Sequence, residues 1–238
     1  MQQKFHKGFS LIELSIALII VGLVIGSVII GRDMARKGEI SAVVSETGQI
    51  ISAWNSFLDQ FGQYPGDFQR ATEFWPSAVA NGDGDTYIDE VETPRVWQHM
   101  TLANVYPGTF TGAYSGGSLK LGVNVPESKM KKCGYEIDFT CDPPPGTPCP
   151  HYGRTGNVIV FGQERGANND IGGPALTPAE ARAIDLKIDD GGASTGKYIG
   201  LDAAGSPAWS CTGPYNVSSA EYQMDRQARG CRTFFWLD

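Results

Sequence analysis

The chain has 238 residues, a formal net charge of −7 and 41% apolar residues, with 30 Gly, 14 Pro, five Cys and three His. That is enough for a sizeable core, and the apolar and aromatic content excludes a disordered chain. An acidic chain without a Lys/Arg block argues against a nucleic-acid partner, and three His with no ligand-spaced Cys pair argue against a zinc enzyme.

Residues 9–30 read FSLIELSIALIIVGLVIGSVII, with Glu13 as the single charge. As a helix this run spans about 33 Å, enough to cross a bilayer core of about 30 Å. A short basic octapeptide, MQQKFHKG, precedes it. A secretory signal would have a shorter run followed by a small-residue cleavage site, whereas here Gly31-Arg32-Asp33-Met34 follows. The one processing point on offer is Gly8, where a cut removes the leader and keeps the helix. Lys4 and Lys7 lie before the run and Arg32, Arg36 and Lys37 after it, so the positive-inside bias chooses no orientation. A carboxylate in a membrane helix costs about 2.5–3.5 kcal/mol near the centre and less near an end, and such residues usually mark function. A free amine at Phe9 of a neighbouring chain would meet Glu13 at similar depth, which sets a register for stacked subunits.

Gly8-Phe9-Ser10-Leu11-Ile12-Glu13, behind a basic leader and ahead of an unbroken apolar run, resembles the signature of type IV prepilins and type II secretion pseudopilins. The resemblance implies cleavage after Gly8 and N-methylation of Phe9 by a prepilin peptidase/methyltransferase. It also implies pairing of Glu13 with a neighbour's N-terminus, related pilin subunits as partners and an inner-membrane assembly platform. Where many type IV pilins carry a Pro near the end of the run, this chain has Ile29-Ile30; Gly22 and Gly26 stand in as a loosening point and as a small-xxx-small pair.

Helical spacing continues through Ile40, Val43, Val44, Ile50, Ile51, Trp54, Phe57, Leu58 and Phe61. It stops at Gly62, before the turn Tyr64-Pro65-Gly66-Asp67. This predicts one helix over 9–61, with 9–30 as the transmembrane and assembly half and 31–61 as an amphipathic half packed on a head. The head, 62–238, is a Gly-rich α+β unit with an antiparallel sheet, the lollipop arrangement of pilins. Within it, a short helix is predicted over 93–100 with Thr93 as N-cap and Pro94 at N1. A second runs from the capping box Thr177-Pro178-Ala179-Glu180 to about Asp189, ending at Gly191. Strands are predicted over 135–139, 158–161, 198–201 and 233–237. The Tyr64–Asp67 turn, the loop at 81–89, Trp97-Gln98-His99, and Ala183-Ile184-Asp185 through Asp190-Gly191 together resemble large prepilin-like proteins of unassigned role.

The segment 81–92 can be laid on a twelve-residue calcium loop, with Asn81, Asp83, Asp85, the Tyr87 carbonyl, Asp89 and Glu92 at the ligand positions. Asn81 in place of Asp and Thr86 in place of Gly depart from that template, and a solvated turn is the other reading. Pseudopilins that this chain resembles often hold a structural calcium, which favours calcium as the only cofactor. Asp185, Asp189 and Asp190 form a second acidic group, read as a solvated face. A disulfide between Cys211 and Cys231 would close a loop of about 20 residues worth about 3 kcal/mol, and the resemblance favours it as a tie on the last strand. Two of Cys133, Cys141 and Cys149 are expected to pair near the rigid loop 142–146, leaving one over. His99 and His151 are the only His beyond the leader. His99 beside Trp97 is read as a packing group and Asn216-Val217-Ser218 as a chance sequon. With no catalytic motif present, the chain is expected to be structural and not an enzyme. It is expected in the inner membrane as a single-pass protein with a periplasmic head, and then in a filament. The size of the head favours a minor pilin or pseudopilin over a major one. The rival reading is a membrane-tethered periplasmic binding protein or hydrolase that uses 9–30 only as an anchor.

Overall fold

The computed structural model describes residues 10–76, 79–114, 118–140, 154–165, 170–213 and 220–237. Gly8, Phe9, Cys141, Cys149, His151 and Asn216 therefore lie outside the described residues, as does the Pro-rich loop. The chain divides into two compact units, Met1–Glu39 and Ile40–Asp238. One helix, α1 (Leu11–Phe61), runs through both, and the architecture is the α+β, pilin-like one.

In the first unit the apolar side chains from Leu11 to Ile30 are exposed. A helix satisfies its own backbone groups, so this face is compatible with lipid or with other helices. Ser15 and Ser27 return their hydroxyls to the carbonyls of Ile12 and Leu23, at 2.9 and 2.8 Å.

In the second unit the helix changes character. Ile40, Val43, Ile50, Ala53, Trp54 and Phe57 form a buried stripe at three- and four-residue spacing. They share a core with Phe68, Ile88, Val96, Trp97 and Met100, and with one face of a sheet. Glu46 fixes the helix in place: Ser128 Oγ and Tyr135 Oη donate to its Oε2 at 2.6 and 2.8 Å, and the Lys129 N–H donates to Oε1 at 3.1 Å.

The sheet contains β1 (Cys133–Thr140), β2 (Gly156–Arg165), β3 (Asp170–Gly173), β4 (Tyr198–Asp202) and β5 (Cys231–Trp236). All pairings are antiparallel, in the order β1-β2-β5-β4, with β3 also paired to β2. Alternation along the strands separates two cores. Tyr135 and Ile137 pair with Phe161 and Ile159 and face α1. Val158, Val160, Ile199, Leu201, Phe234 and Trp236 form a separate buried cluster on the other face. The four predicted strands are all present, three of them within two residues of their expected ends, while β2 runs four residues past its predicted end to Arg165. β3 is an addition: its sequence DIGG carries no apolar alternation.

The short helices are α2 (Ala71–Phe74), α3 (Thr93–Leu102) and α4 (Pro178–Ile188). The Thr177–Glu180 capping box is formed in both directions. At α3 the structure corrects the predicted cap. Thr93 is the first helical residue, and its hydroxyl donates to the carbonyls of Asp89 and Ile137. The capping carboxylate is that of Asp89, which accepts the Glu92 N–H at 2.9 Å.

Candidate functional site

At the start of α1, Ser10 is the residue before the first helical turn: its carbonyl accepts the Leu14 N–H at 3.1 Å. The Glu13 carboxylate reaches back to the Ser10 N–H at 2.9 Å, and the Ser10 hydroxyl accepts the Ile12 N–H at 3.4 Å. Ser-x-x-Glu is the pattern of a capping box. Within the single chain, Glu13 thus satisfies one of the helix's own unpaired N–H groups. Gly22 and Gly26 lie on the exposed stretch, where an added methyl would meet nothing within 4 Å. A second helix can therefore approach closely there.

The second constellation lies in the Ile40–Asp238 unit. The turn after α1 brings Asp67 into the loop 81–92, a residue the twelve-position template did not contain. The two Asp67 oxygens accept the N–H groups of Gly84 and, at 2.8 Å, Thr86. The loop curls around this carboxylate so closely that a Cβ on Gly82 would lie 2.2–2.3 Å from Asp67 backbone atoms. Thr86 supplies the sharp turn itself, at φ 77°, a conformation uncommon for a β-branched residue. The carboxylates of Asp83 and Asp85 accept the N–H groups two residues ahead, of Asp85 and Tyr87. Oxygen atoms of Asp67, Asp83 and Asp85 lie within 4.8 Å of one another. Glu92 takes the Asp83 N–H on Oε1 at 3.1 Å, and its Oε2 is buried without a hydrogen-bond partner.

Two of the sequence-predicted ligands are used elsewhere. The Asn81 side chain accepts the Thr72 N–H at the start of α2, and Asp89 caps α3. Both are short polar side chains just ahead of a helix or packed against its start, where unpaired N–H groups compete for them. The Tyr87 N–H is engaged by Asp85, and its ring packs on Phe139 at 4.3 Å. Asn157 on β2 anchors the loop from below, donating to the Thr86 carbonyl and accepting the Ile88 N–H.

His99 is fully buried and holds the turn that carries Asp67. Its Nδ1 accepts the Gly66 N–H at 2.9 Å, so Nε2 carries the proton and donates to the Ala80 carbonyl at 3.2 Å. Burial lowers its pKa to about 4, and the ring stacks on Phe57 and Trp75. It is a packing and positioning group. Burial raises Asp67 and pushes Glu92 up to about 7. In Glu92 the Asp83 N–H opposes that rise, and the carboxylates of Asp67, Asp89 and Asp83 add to it.

The other acidic group is internally satisfied. Asp185 accepts from Gly191 N–H and Tyr222 Oη, Asp189 from the N–H groups of Lys197 and Tyr198, and Asp190 from Gly192 N–H and Thr195 Oγ1. These carboxylates organise the loop after α4. The expected disulfide joins Cys211 and Cys231. Cys133 is a buried thiol that donates to the Lys131 carbonyl at 3.5 Å.

Glu136 on β1 is buried and pushed up to about 8 by that burial, with Asp138 and Asp170 adding to it. The Ile171 N–H and Arg232 oppose the rise. Its unfolded value is near 4.5, so the folded chain holds a proton that the unfolded chain releases. Stability therefore falls as pH rises from about 4.5 to about 8. His99 acts in the opposite sense, costing stability as pH falls from 6.5 towards 4. Between pH 6.5 and 8 the carboxyl groups act alone. Urea denaturation is expected to show a loss of about 2 kcal/mol across that window, and Glu136→Gln is expected to remove the larger part of it, with Glu92 supplying the rest.

Residues 3–29 match the family described as the prokaryotic N-terminal methylation motif, the prepilin-type cleavage and methylation motif of type IV pilins and pseudopilins. No curated protein and no solved structure matches the chain.

Proposed function

We propose that this chain, which carries the prepilin-type cleavage and methylation motif over residues 3–29, is a minor subunit of a type IV pilus or type II secretion filament. The observation that carries the reading is the coincidence of that motif with a helix whose apolar side chains from Leu11 to Ile30 are all exposed. The leader is cut after Gly8 and Phe9 is methylated by a prepilin peptidase. The subunit waits in the inner membrane with its head in the periplasm, and is then drawn into a filament. The work is mechanical. Packing among neighbouring helices replaces lipid contacts, with Gly22 and Gly26 permitting close approach. Glu13 pairs with the Phe9 amine of a neighbour. That pair acts chiefly through the cost of leaving either charge alone in a dry core. In exchange, Glu13 gives up or shares the Ser10 N–H that it holds in the single chain.

The intact mass of the protein recovered from membranes tests this. The expected mass lacks residues 1–8 and carries one added methyl, and Glu13→Ala is expected to be processed yet lost from sheared filaments. A working protein that retains its first eight residues overturns the reading in favour of a simple membrane tether. Undiminished filament incorporation of Glu13→Ala overturns the pairing.

A further inference from the structure

We infer that the cleft between the C-terminal end of α1 and α2 binds a neutral saccharide, with the Phe74 ring as the stacking platform and the Gln60 and Gln63 amides as partners for its hydroxyls. The cleft has a volume of about 560 Å3, inside the range of roughly 300–1,000 Å3 usual for small-molecule sites. Gln60, Phe61 and Gln63 at the end of α1 form one wall, and Phe68, Arg70 and Phe74 form the other. Phe74 is 50% exposed, and among the described residues the other phenylalanines are more covered. Its ring is nonetheless held. Phe61 stands nearly perpendicular to it at 5.3 Å, and Phe68 and Trp75 tilt against it at 5.6 and 5.9 Å. The Asn81 side chain fixes α2 by accepting the Thr72 N–H. A platform fixed before the ligand arrives lowers the ordering cost of binding.

The chemistry of the walls selects the ligand. An aromatic face is electron-rich, and the C–H groups on one face of a sugar ring carry partial positive charge and pack on it. A hydroxyl both donates and accepts hydrogen bonds, and so does a carboxamide. Among the described residues the Gln60 amide has no hydrogen-bond partner, and Gln63 engages only its Nε2, which donates to Gln69 Oε1 at 3.3 Å. The Arg70 guanidinium lies 5.7 Å from the Phe74 centroid, and Glu73 takes only its Nε and Nη2. That exposed ion pair balances the charge, and no carboxylate lines the cleft. Amides, one open aromatic face and balanced charge suit a neutral polyol better than a metal ion, a phosphate or an acidic peptide. Proline-rich peptides dock in grooves lined by aromatic rings, but here Phe68 is buried and Phe61 half-buried, which leaves one open ring. The cleft lies within the Ile40–Asp238 unit, so binding needs no assembly and stands apart from the filament reading.

The full chain, held in a zwitterionic detergent without a sugar headgroup, is titrated with maltose, cellobiose and diacetylchitobiose, and binding is read by saturation-transfer NMR. Saturable binding of at least one disaccharide is expected, with a dissociation constant on the order of 1 mM. Phe74→Leu keeps the bulk and loses the ring, and is expected to weaken that binding about tenfold. Gln60→Ala alters only an exposed side chain on α1, so the fold remains, and it is expected to weaken binding about threefold. Trp209→Ala removes another exposed ring, outside the cleft, and is expected to change nothing. No saturable binding at about ten times that concentration, unchanged affinity in Phe74→Leu, or tighter binding of decaproline than of any disaccharide overturns the site. If Phe74→Leu alters the circular dichroism spectrum, Gln60→Ala decides: weakened binding upholds the site and unchanged affinity overturns it.

Discussion

Trp54→Ala is expected to lower stability by about 4 kcal/mol and the Tm by about 12 °C. Trp54 is 1% exposed and stacks on Tyr64 with ring centroids 4.9 Å apart. Truncation removes the transfer free energy of the indole and leaves a cavity that a helix anchored by Glu46 cannot collapse to fill. The damage should spread forward in the chain. Tyr64 opens the turn that ends at Asp67, so a looser Tyr64 should release the loop 81–92 as well. Thermal unfolding of the full chain by circular dichroism measures the first effect. Hydrogen exchange at Gly84 and Thr86, whose N–H groups Asp67 accepts, measures the second. A loss below about 1 kcal/mol would mean that the buried stripe of α1 does not hold this unit together.

Reducing the Cys211–Cys231 bridge is expected to cost about 3 kcal/mol, since its ends are 20 residues apart. Both cysteines are fully buried, so reductant should act only on chains that have first opened. The Cys231 N–H donates to the Leu176 carbonyl, and the Cys231 carbonyl accepts from Ala175 and Leu176. These contacts, together with pairing to β2 and β4, should keep β5 in place after reduction. A chain refolded in dithiothreitol is therefore expected to recover a native far-ultraviolet spectrum with a Tm about 9 °C lower. An unchanged Tm would mean that the unfolded chain gains no freedom when the link is cut.

Features governed by neighbours in sequence were legible in advance. The apolar run, the stripe through Phe57, the four principal strands and the Thr177–Glu180 box all follow from spacing and local hydrogen-bonding chemistry. Features governed by distant partners were not. Asp67 lies 14 residues before the loop it enters, and nothing in its spacing points there. Asn157 lies on the far side of the sheet's sequence, and β3 is held by pairing to β2 and not by its own side chains. Asn81 and Asp89 mark the limit of a template. In the fold the Asn81 side chain accepts the Thr72 N–H from seven residues beyond α2, which no local spacing shows, whereas Asp89 stands just ahead of α3 and accepts the Glu92 N–H. Ser10 and Glu13 hide the reverse case. Ser-x-x-Glu is a local capping pattern, whereas the depth of the same carboxylate in the apolar run points to a neighbouring chain.

Apolar contact along a helix has no preferred register, because its free energy depends on area and not on direction. Sliding α1 by one turn, about 5.4 Å, would still leave greasy side chains against greasy side chains. The three donors gathered on Glu46 remove that freedom, since hydrogen bonds break within a fraction of such a step. Traction applied to this part of the helix would therefore load Ser128, Lys129 and Tyr135 first. The segment that joins β1 to its preceding turn would serve as the catch that resists shear.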